Sequence, residues 1–178
     1  PSAAPDAEGK PLCFVLNYDG EDAAAAKATD EYKKYGVLYN WYAAMNQTDA
    51  QGGNAEAVPS GVQGICPAGW HLPSKAEWKQ LEAYVASQLE PVKGDGWYND
   101  LDGAWVFEED CKNVWSALAG LDGWGASNSS QENPDLANGP RDTFGFAVIP
   151  AGQCWQTGAF GFSESAATFW TTDMQSQG

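Results

Sequence analysis

The stretch that decides the fold is "GWHLPSKAEWKQLEAYV", residues 69–85. Within it, Ser74 is followed three positions later by Glu77, which is the spacing of a helix capping box. In that motif the Ser hydroxyl accepts a hydrogen bond from an early backbone N–H, and the Glu carboxylate accepts one from the N–H of the cap residue. Pro73 keeps the residue before it extended. These signals predict a helix that begins at Lys75.

An apolar stripe continues from this start. Trp78, Leu81 and Val85 follow one another at i, i+3 and i+7, the spacing of one face of an α-helix. Leu89 extends the stripe, and Pro91 cannot continue a helix because it lacks an N–H and clashes with the preceding turn. We therefore predict one amphipathic helix over about residues 75–90.

The only histidine, His71, lies just before this helix. No Ser, Cys or Asp stands close enough in sequence to form a nucleophile relay with it, so a catalytic role would need a distant partner. We interpret His71 as structural. Since the rest of the chain offers no acid/base or nucleophile constellation either, we predict that the protein is not an enzyme.

Composition excludes several classes of partner. A chain of 178 residues is one domain, here predicted over residues 12–178, with residues 1–11 as a linker or mature N-terminus. Nine Lys plus Arg against 24 Asp plus Glu give a net charge of −15. Such a surface repels phosphate, which argues against nucleic acid and anionic membranes as partners. No apolar run reaches the length that a membrane span requires.

The four cysteines are Cys13, Cys66, Cys111 and Cys154, and none forms a C-x-x-C pair. One histidine is too few for a common zinc site. The even count favours a secreted, disulfide-bonded domain, and the alternative is four buried thiols in a cytosolic protein. Three connectivities are open to four cysteines, and the residues themselves do not choose among them.

The remaining elements are predicted from shorter patterns. Residues 21–34 are interpreted as a short helix or an ordered loop, and Trp70, Trp78, Trp115 and Trp170 as core residues because they lie in apolar patterns. Strands are predicted at residues 12–16, 37–41, 144–152 and 167–173, and short helices near Ala43 and within residues 111–120. Long loops are predicted at residues 48–64, 94–103 and 123–141.

The acidic loop at residues 94–103 is the one candidate cation site. Its oxygen ligands would come from Asp95, Asn99, Asp100 and Asp102. Calcium needs about 6–8 oxygen ligands, and acidic loops in so acidic a chain are usually only solvated. We expect no cofactor, with calcium at this loop as the alternative.

Four blocks carry a resemblance to a known family: "YGVLYNWYAA", "GICPAGWHLPSKAEWKQLE", "DTFGFAVIPAG" and "FWTTD". In this order they resemble the Fibrobacter succinogenes major paralogous domain, a bacterial extracellular family with a C-type-lectin-like fold. "LPSKAEW" is also similar to a signature of formylglycine-generating sulfatase modifiers, which share the superfold. The resemblance implies an α+β domain of the C-type-lectin-like type, with two helices around a small twisted antiparallel sheet and long irregular loops.

The sequence departs from the family pattern in its cysteines and at its end. Family members usually continue beyond the "FWTTD" block into strands that carry the partner of Cys66, whereas this chain stops at Gly178. We expect those strands either to be missing or to be supplied by a partner chain. Cys111 and Cys154 fall where the family shows no cysteine. The resemblance thus implies a disulfide between these two, and with it a Cys13–Cys66 pair.

The resemblance also directs the functional prediction. The modifier enzymes bind copper through a closely spaced cysteine pair, which this chain lacks, so that activity is not implied. Some relatives are hypervariable binding proteins that vary in their C-terminal loops. We predict an extracellular or cell-surface binding module for a glycan or protein ligand, lipid-anchored or part of a larger surface protein. The alternative is an adhesin or fibre assembly subunit that a partner strand completes.

The ligand is expected at residues 153–168. Exposed aromatic rings flanked by hydrogen-bonding groups suit both sugar stacking and protein contact, although an inward strand face with a tight turn would explain the same pattern. Trp155 is the leading single candidate. The predicted ligand-binding residues are Gln153, Trp155, Gln156, Phe160, Phe162, Ser163 and Glu164.

Overall fold

A computed structural model describes residues 10–46, 52–90, 92–99, 105–111, 114–125, 141–155 and 157–173. Residues 92–99 and 105–111 are described by their backbone only. Residues 1–9 of the expected linker lie outside the described ranges. Within them the chain forms five helices and six strands: β1 (Cys13–Phe14), α1 (Ala23–Ala28), α2 (Asp30–Tyr35), β2 (Leu38–Tyr39), α3 (Trp41–Ala44), α4 (Lys75–Gln88), β3 (Val92–Asn99), β4 (Trp105–Cys111), α5 (Val114–Leu118), β5 (Gln153–Cys154) and β6 (Phe160–Gly161).

Among the described residues, each strand pairs with its neighbour in sequence. β1 pairs with β2, β3 with β4, and β5 with β6, each antiparallel. Helices mixed with small antiparallel sheets make the domain α+β, as predicted. The described residues contain three two-stranded sheets and five helices, where the resemblance implied one small sheet and two helices.

The long helix α4 confirms the strongest prediction from the sequence. It begins at Lys75, and the capping box is complete: the Glu77 N–H donates to Ser74 Oγ at 3.3 Å, and the Ser74 N–H donates to Glu77 Oε2 at 2.8 Å. Its last residue is Gln88, two residues short of the predicted end. Trp78 is buried on the predicted stripe.

The core lies between α4 and α5. Val85 of α4 and the two residues Ala117 and Leu118 of α5 are almost fully buried. Partly buried side chains complete this cluster: Leu81, Leu89, Val114 and Phe144. The predicted second helix within residues 111–120 is thus confirmed as α5, and it positions the segment that follows.

The segment after residue 141 is hydrogen-bonded to the end of α5. The Val148 N–H donates to the carbonyl of Leu118 at 3.0 Å, and the Gly120 N–H donates to that of Val148 at 2.7 Å. The Thr143 N–H donates to Ala117 O at 2.9 Å. The chain leading to β5 therefore starts from the core.

The N-terminal third differs from its prediction in detail. The strand expected over residues 12–16 is only Cys13–Phe14, although Val15 and Leu16 beyond it are buried. The turn from strand to helix near Ala43 is confirmed by β2 and α3. Residues 21–34 form the two helices α1 and α2, because Asp22 and Thr29 each cap one of them.

The predicted loop at residues 94–103 was wrong for the part that the structure describes. Strand β3 runs through Gly94 and Gly96, which the sequence analysis took as loop residues, and pairs with β4. The register shifts between Lys93 and Gly96, which marks a bulge or irregularity where the glycines fall. Residues 100–104 lie outside the described ranges.

The predicted strands at residues 144–152 and 167–173 were also wrong. These segments form only isolated bridges, Ala119 with Val148 and Gly152 with Ala167. Ala147 has φ of 51°, a left-handed conformation that interrupts an extended strand. Their apolar residues pack from irregular backbone, so a run of apolar residues was not enough to define a strand here.

The predicted core position holds for only one of the four tryptophans. Trp78 is 9% exposed, whereas Trp70 is 73% exposed, and Trp115 and Trp170 are also exposed. Trp70 lies in a turn closed by its N–H to the Pro67 carbonyl, ahead of the α4 stripe. The Trp170 ring instead contacts the Trp41 ring edge-on, and its Nε1–H donates to the Tyr39 carbonyl.

The start of α4 also contains a carboxyl group with a shifted pKa, that of Glu77. Burial of the Glu77 carboxyl acts to raise its pKa, but hydrogen bonds from the Ser74 N–H, from His71 and from the Ser60 N–H outweigh it, so its pKa is lowered. His71 Nε2 lies 2.7 Å from Glu77 Oε1. The histidine thus contacts the capping carboxylate directly, and its structural interpretation stays a prediction.

Replacing Ser74 with alanine should destabilise the domain. The Ser74 side chain is fully buried and its hydroxyl also donates to the Ala57 carbonyl, so the substitution removes a cap and takes the donor from a partly buried carbonyl. We expect a loss of about 1–3 kcal/mol in the free energy of unfolding, measured by urea titration.

Ser87→Ala is the matched control, because Ser87 is exposed near the other end of α4. It should change the free energy of unfolding by less than about 0.5 kcal/mol. Equal losses in the two variants would contradict the role assigned to the cap.

Glu77→Gln should reveal the pH dependence of the cap. Because the pKa of Glu77 is lowered in the folded state, its carboxylate stabilises the fold fully above its ordinary value of 4.5 and loses that contribution as the pH falls through the folded value. The wild type should exceed Glu77→Gln in stability by about 1 kcal/mol at neutral pH. Urea titrations at several pH values should show this difference shrinking below pH ~4.5. Glu90→Gln removes an exposed carboxyl after the helix and should change the free energy of unfolding by less than about 0.5 kcal/mol at neutral pH.

Candidate functional site

The predicted ligand-binding segment folds as a β-hairpin. Cys154 pairs with Phe160 across strands β5 and β6, and the loop is closed by two hydrogen bonds. The Trp155 N–H donates to Ala159 O at 2.8 Å, and the Gly158 N–H donates to Trp155 O at 2.8 Å. These hydrogen bonds hold the backbone of Trp155 and Gly158 on either side of the hairpin end.

Two aromatic rings of the hairpin are exposed and in contact. Trp155 is 44% and Phe162 54% exposed, and their ring centroids lie 5.5 Å apart with planes tilted by 52°. The indole also lies against the backbone of Gly161, where an added Cβ would come within 2.6 Å of Trp155 Nε1. The missing side chain of Gly161 therefore makes room for the indole. We call these two rings the aromatic pair.

The turn after β6 has strained backbone. Phe162 and Glu164 have φ of 59° and 66°, values that cost roughly 1–2 kcal/mol for residues other than glycine. Hydrogen bonds on both sides hold this conformation. The Glu164 N–H donates to Pro150 O at 3.0 Å, and its carbonyl accepts from the Gly125 N–H at 2.8 Å.

The other predicted site residues divide by exposure. Gln153 and Phe160 lie in the paired strands and are half-buried, whereas Ser163 is exposed in the turn beside Phe162. Gln156 lies outside the described residues. The structure thus places Phe162, Ser163 and Glu164 in one turn, with the Trp155 ring in contact with that of Phe162, and Gln153 and Phe160 in the paired strands of the hairpin.

Charged groups from distant segments meet at this turn. The pKa of Lys34 is raised, first by a hydrogen bond with Tyr35 and further by the negative charges of Glu164 and Asp122. The Lys34 ammonium lies 4.7 Å from the centre of the Tyr35 ring. Sequence analysis missed Lys34 and Asp122, because neither carries a local signal and only the fold brings α2 to this turn.

Neither of the cysteine pairs that the resemblance implied is formed in the structure. Cys13 and Cys66 are free in the structure, so the expected Cys13–Cys66 disulfide is not formed. Cys13 pairs with Tyr39 in the β1–β2 ladder, whereas Cys66 donates its N–H to Gln63 in a separate turn. The Cys111 side chain lies outside those described. Cys154 also carries a thiol, and its Sγ donates to the Trp155 carbonyl at 3.8 Å, so the expected Cys111–Cys154 disulfide is not formed either.

The calcium alternative rests on residues whose side chains are not described. Asp95 and Asn99 belong to β3, which is described by backbone only, and Asp100 and Asp102 lie outside the described ranges. Among described residues, no group of three or more His, Cys, Asp or Glu is placed to hold a metal ion. In the same part of the chain, no helix is long and apolar enough to cross a membrane.

Comparison with known proteins assigns the chain to a family. Residues 5–178, nearly the whole chain, match the Fibrobacter succinogenes major domain. The protein therefore belongs to that family, as the four sequence blocks indicated. Neither curated proteins nor solved structures gave a significant match to it.

Two glycine variants test how tightly the hairpin is built. Gly152 and Gly145 have nearly the same left-handed φ, 70° and 68°, but only Gly152 faces a close neighbour: an added Cβ would lie 2.6 Å from Ser163 N and 2.9 Å from Phe162 C. Both alanine variants should lose about 1–2 kcal/mol of unfolding free energy through strain.

Gly152→Ala should lose a further 1–3 kcal/mol, roughly, since backbone must move to admit the methyl group. Urea titration of both variants measures the difference. Equal losses would mean that the strands do not approach each other at Gly152 as closely as described.

Proposed function

We propose that this protein is an extracellular, non-enzymatic binding module with a C-type-lectin-like fold, which recognises a glycan or protein ligand through the β5–β6 hairpin. The observation that carries the proposal is the exposed aromatic pair, Trp155 and Phe162, on a hydrogen-bonded hairpin. Binding energy concentrates in aromatic side chains surrounded by polar groups, and Ser163 and Glu164 provide such groups here.

The rigidity of the hairpin supports a binding role. A preorganised aromatic group loses little conformational entropy when a ligand covers it. The Trp155 indole packs against Gly161, and the backbone of Phe162 accepts hydrogen bonds from the Ser165 and Ala166 N–H groups. Strained residues such as Phe162 persist where the surrounding structure holds them, and they cluster at ligand sites.

An extracellular or cell-surface location, with the domain lipid-anchored or part of a larger surface protein, fits the composition. An even number of cysteines and few basic residues are typical of secreted domains. The proposed absence of enzymatic activity is supported by His71, which bonds the helix cap through Glu77. Activity that disappears on His71→Ala would overturn that part of the proposal.

A second candidate function is an adhesin or fibre assembly subunit that a partner strand completes. It is favoured by the β3–β4 ribbon, in which each strand pairs only with the other among described residues. Such a strand edge can accept a further strand from another chain. Light scattering over a range of concentrations separates the two candidates, because an assembly subunit should form oligomers.

Trp155→Ala should weaken ligand binding at least tenfold, which corresponds to about 1.4 kcal/mol, while the domain stays folded. The reason is that the indole is exposed and held in place, so its removal deletes contact area without opening the core. The measurement is a glycan array and a panel of peptides probed with wild type, followed by titration of each ligand found with wild type and variant.

Trp70→Ala is the matched control, because Trp70 is an exposed indole in another segment. It should leave the affinity within about twofold. If Trp155→Ala binds every ligand as tightly as wild type, the site lies elsewhere. The loop at residues 123–141 then becomes the next segment to test.

A further inference from the structure

Glu164 carries the carboxylate nearest to the aromatic pair in sequence, and its backbone is held by hydrogen bonds on both sides. Glu164 follows Phe162 by two residues, and its N–H and carbonyl are hydrogen-bonded to Pro150 and Gly125. Its Oε2 lies 3.2 Å from the position that a Cβ on Gly125 would occupy. The side chain is exposed. Glu164 therefore lies in the same turn as Phe162, whose ring contacts Trp155, and is open to solvent.

Two carboxylates, Glu164 and Asp122, act on the Lys34 ammonium, and the formal charges of these three groups sum to −1. The ammonium of Lys34 is engaged with the Tyr35 ring. The whole chain carries −15, and a field of that sign concentrates cations near its surface and repels anions.

Aromatic faces and carboxylates attract the same kind of group. A Lys ammonium or an Arg guanidinium is drawn to the face of Trp most strongly among the aromatic residues. A guanidinium also bonds a carboxylate through its planar fork of N–H donors. A neutral sugar would stack on the same indole, but it would gain nothing from the net charge.

Resting on the proposed function, we propose that the aromatic pair binds a cationic segment of a protein partner, with an Arg or Lys side chain over Trp155 and Glu164 as its counter-charge. The rings and the carboxylate then act on one group of the partner. The net charge of the domain speeds the encounter. Binding of this kind weakens as salt is added.

The test is titration of the intact domain with a tetra-arginine peptide by calorimetry, with an uncharged Gly-Ser peptide of equal length for comparison. Tetra-arginine should bind at low salt, and its affinity should fall at least fivefold at high salt. Trp155→Ala and Glu164→Gln should each weaken it at least fivefold at low salt. Trp155→Phe, which keeps an aromatic ring, should lose less than Trp155→Ala.

Two control variants separate the site from general attraction. Trp70→Ala removes an exposed indole elsewhere, and Glu56→Gln removes one exposed negative charge elsewhere. Each should change the affinity less than twofold. If the controls weaken binding as much as the site variants do, attraction is diffuse and the inference fails. Near-ultraviolet circular dichroism of every variant verifies the fold.

The inference and the proposed function fail in different ways. A neutral oligosaccharide whose binding depends on Trp155, together with no binding of tetra-arginine, would overturn the cationic partner and leave the binding module in place. Binding of tetra-arginine that is insensitive to Trp155→Ala and Glu164→Gln would overturn the inference. If neither probe depends on Trp155, both the inference and the proposed site are wrong.

Discussion

The first turn of α4 is the junction on which the described fold depends. A helix start leaves backbone N–H groups without intrahelical partners, and each one buried without an acceptor costs stability. Here acceptors come from both near and distant sequence. Glu77 accepts from the N–H groups of Ser74 and Ser60, and Asp173 Oδ2 accepts from the Lys75 N–H at 2.9 Å. The same hydrogen bonds that start the helix thus tie together segments almost a hundred residues apart.

This junction explains how irregular segments can support a fixed hairpin. Thr172 is fully buried and donates its N–H to Pro73 O at 2.9 Å, which anchors the chain beyond the hairpin to the start of α4. The chain before the hairpin is anchored to α5 through Val148. Because both ends are held, the turn after β6 has little freedom. Backbone hydrogen bonds to neighbouring segments, rather than a large sheet, therefore help to offset the conformational entropy that the hairpin loses on folding.

The elements that could be predicted from the sequence are those set by local interactions. The Ser74–Glu77 box, the stripe of α4 and the helix α5 depend on residues within a few positions of one another. The strand β3 was missed because its glycines and acidic residues indicate a loop locally, and only pairing with β4 overrides that tendency. Conversely, the apolar residues after 144 read as strands but pack from irregular backbone. The exposure of Trp70 could not be predicted from this pattern either, because the apolar stripe of α4 begins only after Trp70.

The candidate site, too, could be predicted only in part from the sequence. Sequence identified Trp155 and Phe162, but whether such rings face inward or outward depends on the opposing strand, and room for the indole depends on Gly161. Two residues that disfavour a left-handed backbone, Phe162 and Glu164, adopt it in succession around Ser163. Glycine at either position would relieve roughly 1 kcal/mol of strain or more. Keeping a ring and a carboxylate there costs stability, and strained residues that the surrounding structure holds in place cluster at ligand sites. The strain therefore supports the proposed binding role of this turn, because glycine at either position would fold with less strain.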